Sequence, residues 1–63
     1  MSENDKARAE LARLLGELMK RQPVPTIAEI TLHLKAQTAH DDELQMRVMA
    51  FWAQGMAKFA AGV

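Results

Sequence analysis

Pro23 and Pro25 flank a single valine in Gln22-Pro23-Val24-Pro25, between two stretches whose residues otherwise favour helix. Neither proline can donate a backbone hydrogen bond, and each disfavours helical geometry in the residue before it, so no regular helix runs through this point. Whatever the 63 residues form must be assembled from pieces on either side of this turn.

The first piece, residues 3–21, is the plainest helix. Ala, Leu, Glu, Lys, Arg and Met dominate it, and β-branched residues are absent. Ser2 and Asp5 have the spacing of a capping box with the shorter acid. The early acids, with Lys20 and Arg21 at the far end, complement the helix dipole. Ala7, Leu11, Leu14 and Leu18 recur at spacings of four, three and four, and Leu15 and Met19 widen this apolar stripe. Lys6–Glu10, Arg13–Glu17 and Glu17–Arg21 are i,i+4 pairs suited to the solvent side.

Beyond the turn, Thr26-Ile27-Ala28-Glu29 has the form of a capping box and predicts a helix over 26–37 with Ile27, Ile30 and Leu34 facing inward. Alternation of Ile30, Leu32 and Leu34 with Thr31, His33 and Lys35 also permits a strand. The helix is preferred because no second strand is available, and a lone strand leaves its backbone groups unpaired. An unbroken helix from 26 to 61 would carry Gln37 and Asp41 onto the apolar seam. A break near 38–41 is therefore expected, with Thr38 or Asp41 capping a third helix over 40–61. A two-helix hairpin with a continuous second arm is the alternative topology.

The third helix has more apolar surface than two short companions can cover. At about 100° per residue, Leu44, Val48, Phe51, Gly55 and Phe59 form a stripe suited to the core, with Met49, Trp52 and Met56 beside it. Met46, Ala53 and Ala57 extend the apolar arc, leaving Arg47, Gln54 and Lys58 a narrow polar sector. A chain this short buries only about 60% of its unfolded surface and needs reinforcement. It has no cysteine, which removes disulfides, thiolate metal sites and thiol nucleophiles, and leaves association as the reinforcement. The expected fold is all-α: one helical domain, residues 1–63, of two to three helices, forming an intertwined or side-by-side homodimer. Met46, Met49, Trp52, Ala53, Met56 and Phe59 are the candidate self-association or partner interface.

Eight Lys and Arg balance eight Asp and Glu, so no bulk charge draws the chain to nucleic acid or an anionic membrane. The charged N-terminus, MSENDKARAE, lacks the apolar region of a secretory signal, and residues 44–63 are interrupted by Arg47, Gln54 and Lys58. With the missing cysteines, this fits a cytoplasmic protein with no membrane partner. Insertion of Phe51, Trp52 and Phe59 into a lipid surface is disfavoured because the opposite side lacks cationic richness.

Chemistry is sparse. Glycines 16, 55 and 62 make no phosphate loop, and Ser2, Thr26, Thr31 and Thr38 lie in no nucleophile motif. His33 and His40 lack the close spacing of a zinc site, so neither catalysis nor a metal or other cofactor is expected. Pro25-Thr26-Ile27-Ala28-Glu29-Ile30-Thr31-Leu32-His33-Leu34 resembles the first helix of a helix-turn-helix, but Asp41, Asp42 and Glu43 would then open the recognition helix and repel phosphates. Arg8, Arg13, Lys20 and Arg21 are the candidate nucleic-acid contacts, although Glu10 and Glu17 interleave with them. The preferred expectation is a non-catalytic regulator of inhibitor or adaptor type that binds a protein and occupies its surface. A helix-turn-helix transcriptional regulator is the first alternative, and a structural subunit of a larger complex the second.

Overall fold

The computed structural model describes residues 2–61 and contains, among them, three helices and no strand: α1 (Glu3–Met19), α2 (Ile27–Gln37) and α3 (Asp42–Ala61). The fold is thus all-α, with α2 and α3 separate rather than joined into one arm.

Ser2 caps α1, its hydroxyl accepting from the Asp5 N–H at 3.2 Å. The helix stops at Met19, sooner than the composition suggests. The Lys20 and Arg21 N–H groups turn back to the Glu17 and Leu18 carbonyls at 3.3 and 3.1 Å, tightening the end of the helix. Lys20 and Arg21 therefore lie beyond its last turn. Along the exposed face Arg13 draws in both neighbouring acids: its Nε donates to Glu10 at 2.8 Å and its Nη1 to Glu17 at 3.1 Å. The bond to Glu10, then the charges of Glu10 and Glu17, hold its guanidinium pKa above the ordinary value.

The capping box of α2 forms reciprocally. Thr26 accepts from the Glu29 N–H at 3.2 Å, and the Glu29 carboxylate accepts from the Thr26 N–H at 3.0 Å. At the other end Thr38 is fully buried and its hydroxyl donates to the Leu34 carbonyl at 2.7 Å. Gln45 reaches back from α3 to donate to the Lys35 carbonyl at 2.8 Å. Two carbonyls of the last turn of α2 are satisfied by side chains, and the chain reverses without a glycine. Asp41 then caps α3, its carboxylate accepting from the Leu44 N–H at 3.1 Å.

Leu14 and Leu18 of α1 meet Ile30 and Leu34 of α2 in the core, and Leu11, Leu15, Met49 and Trp52 pack around them. Ala7 and Val48 are also fully buried. Ile27, expected inside, is 58% exposed. It occupies the first position of α2, at the rim of the packing, and Thr38 takes the buried place at the opposite end.

Side-chain pairings give the helix directions. Arg47 donates to Asn4 at 2.7 Å, and the Arg8 guanidinium lies 4.8 Å from the centre of the Phe51 ring, so α1 and α3 run in the same sense. Trp52 pairs with Thr31 and Gln45 with Lys35, so α2 runs opposite to α3. The result is an up-down-up slab of 31 × 27 × 17 Å with the starts of α1 and α3 at one end.

Candidate protein-interaction surface

The apolar arc of α3 is divided among three environments. Val48 is buried, and toward α1 Phe51 is half-covered beneath Arg8. Toward α2, Met49 and Trp52 pack on the core. The Trp52 indole N–H donates to the Thr31 hydroxyl at 2.9 Å, and that hydroxyl donates to the Ile27 carbonyl at 2.9 Å. Met49 and Trp52 are therefore partly covered by the chain itself, which corrects the expectation that they form an open flank with Met56. The third environment is the outward side, where Met46, Ala50, Ala53, Ala57 and Ala60 are exposed.

Near the end of α3 lies a groove of about 760 Å³, lined by Met19, Ile27, Trp52, Met56, Phe59 and Ala60 together with Gly55. Phe59 is 74% exposed and Met19 48%. The groove takes its walls from one end of each helix, where apolar stripes outrun the elements that face them. Of the six interface candidates, Trp52, Met56 and Phe59 line it. Met46 and Ala53 lie elsewhere, on the outward side, Met46 at its border with Asn4, Arg47 and Gln54, and Met49 faces the core. Met19 and Ile27 were missed because each continues the spacing of a core stripe. The available signal was their position at the last and first turn of their helices, where coverage runs out.

The basic candidates do not converge. Arg8 stacks on Phe51, Arg13 is engaged by Glu10 and Glu17, and Lys20 and Arg21 stand past the end of α1. Asp41, Asp42 and Glu43 are exposed at the start of α3. Among the described residues no three of His, Cys, Asp and Glu form a group able to hold a metal ion, and no helix is long and apolar enough to cross a membrane.

Fold and surface together define a small three-helix bundle with an open apolar groove at one end. Comparison with protein families, curated proteins and solved structures gives no match.

Proposed function

We propose that this chain is a non-catalytic, cytoplasmic protein-binding regulator that acts by occupying a surface of a partner protein, with the groove around Trp52, Met56 and Phe59 as its contact. The observation carrying this reading is the exposure of Phe59, Met19 and Ile27 around one concavity while Leu14, Leu34 and Val48 of the same helices are fully enclosed. Large apolar side chains clustered at a concavity favour an apolar occupant, and Trp and Met suit it because one is a large anchor and the other adapts its shape. The apolar side of α3 is also the surface offered for self-association as a homodimer. A helix-turn-helix role is less well supported, because the exposed acids at the start of α3 would face phosphate groups.

Capture of partners from a host extract tests the reading. Wild-type chain and Leu32→Asp, whose side chain is 67% exposed on another face, should retain the same partner, whereas Phe59→Asp should lose it. Equal capture by all three would remove the groove as the contact surface.

A further inference from the structure

The apolar groove and the cleft beside it differ in chemistry. No charged side chain lines the groove, and the one side-chain N–H among its walls, that of Trp52, is already given to Thr31. The neighbouring cleft, of about 640 Å³, is lined by Arg8, Phe51, Gln54, Ala57 and Lys58. It meets the groove at Gly55, where an added Cβ would have nothing within 4 Å and no side chain divides the two. Lys58 directly precedes Phe59 of the groove, and Lys20 and Arg21 directly follow Met19 on another wall. Among the described residues none of Arg8, Lys20, Arg21 and Lys58 pairs with a carboxylate. The acids of this half are Glu17, held by Arg13, and Glu29, whose carboxylate is turned onto the Thr26 N–H. The unpaired charge around the groove is therefore basic.

We propose that the occupant of the groove is an acidic amphipathic helix of a partner protein, its apolar face in the groove and its carboxylates toward Lys20, Arg21, Lys58 and Arg8. This rests on reading the groove as a protein contact and names the kind of partner. Walls without free donors or acceptors cannot satisfy a peptide backbone. An extended segment would bury its N–H and C=O groups unpaired there, whereas a helix arrives with its own already bonded. The same lack of polar groups removes the fixed contacts by which a small molecule is oriented. A second copy seated groove against groove would set Lys20, Arg21 and Lys58 of each against those of the other, and like charges oppose it. Phe59, 74% exposed, and the adaptable Met19 and Met56 suit helix anchors three or four residues apart. Affinity then comes from the apolar face. The rim, whose exposed pairs are worth little each, selects the sign of the flank.

Selection from a phage-displayed library of random segments of about 16 residues, long enough for about four helical turns, tests this on the immobilised full chain. Selected segments should carry apolar residues at i, i+3 or i+4, and i+7, should be net acidic, and should gain helix on binding by circular dichroism. Phe59→Ala should weaken a selected synthetic peptide by about tenfold or more. Lys20→Glu with Arg21→Glu should weaken it by about fivefold, and selection repeated on that variant should favour basic segments. All three positions are exposed, and thermal melts of the variants alone separate lost binding from lost fold. Selected segments that are basic or uncharged overturn the acidic partner, while their loss on Phe59→Ala would leave the groove a protein contact. Selection that yields nothing dependent on Phe59 overturns both readings. A wild type that is dimeric by sedimentation equilibrium and falls to 7.0 kDa with Phe59→Ala overturns the proposal in favour of a second copy. Sodium laurate that shifts Trp52 emission in the wild type but not in Phe59→Ala overturns it in favour of an acyl chain.

Discussion

The hydrogen bond from Trp52 to Thr31 makes the tryptophan a poor probe of binding taken alone. Trp52→Ala removes core packing and the bond to α2 together, so it should lower the stability of the fold as well as any association. Trp52→Phe keeps most of the packing and should cost about 1 kcal/mol in denaturant unfolding, the usual worth of one hydrogen bond. Phe59→Asp is the cleaner test, because a side chain that is 74% exposed contributes little to the isolated fold. The two helical glycines form a second pair of probes. An added Cβ meets nothing within 4 Å at Gly16 or Gly55, so alanine at either should stabilise the isolated chain by about 1 kcal/mol in thermal unfolding. Only Gly55 lines the groove, so only Gly55→Ala should also weaken an occupant that uses that wall. Equal effects of the two alanines on binding would place the contact away from this wall.

Helix ends, more than helix interiors, determine how these elements behave. Glu29 is held below its ordinary pKa of 4.5, first by the Thr26 backbone N–H and then by the Thr26 side chain. A depressed carboxylate contributes stability above its unfolded pKa and loses it as pH falls through the folded value. The stability difference between wild type and Glu29→Ala should therefore be constant above about pH 4.5 and shrink below it, as read by urea unfolding across a pH series. A difference that grew on acidification would mean that the capping box is absent in solution. The caps were also the most legible part of the sequence: Ser2, Thr26 and Asp41 each act where their spacing placed them. The end of α1 was less legible, because Lys20 and Arg21 have high helix propensity and the chain leaves the helix before the prolines require it. Covalent neighbours announce a helix start, whereas its covered face depends on which elements are brought alongside it. That is why Ile30 and Leu34 were read correctly while Ile27, at the rim, was assigned to a core that does not reach it. The groove was half legible for the same reason: Trp52, Met56 and Phe59 stood out on one helix, but Met19 and Ile27 join them only through tertiary packing.

At the scale of the whole molecule, stability rests on few side chains. At about 0.1 kcal/mol per residue a chain of this length has about 6 kcal/mol to lose, and Leu34→Ala should remove about 2–5 of it. That variant should melt at least about 10 °C below the wild type by circular dichroism, unless association restores it. An occupant held by the groove should respond only weakly to salt in a binding titration, because no charged side chain lines it. The gathering of two helix starts at one end of the slab has a consequence for how the protein meets any charged solid. A molecule with no net charge and evenly mixed surface groups passes through both anion and cation exchangers near neutral pH. Here Glu3, Asp5, Asp41, Asp42 and Glu43 outnumber Lys6, Lys35 and Arg47 at that end, and Lys20, Arg21 and Lys58 outnumber Glu29 toward the other, so the chain should be weakly retarded on both at low ionic strength, adsorbed in opposite orientations.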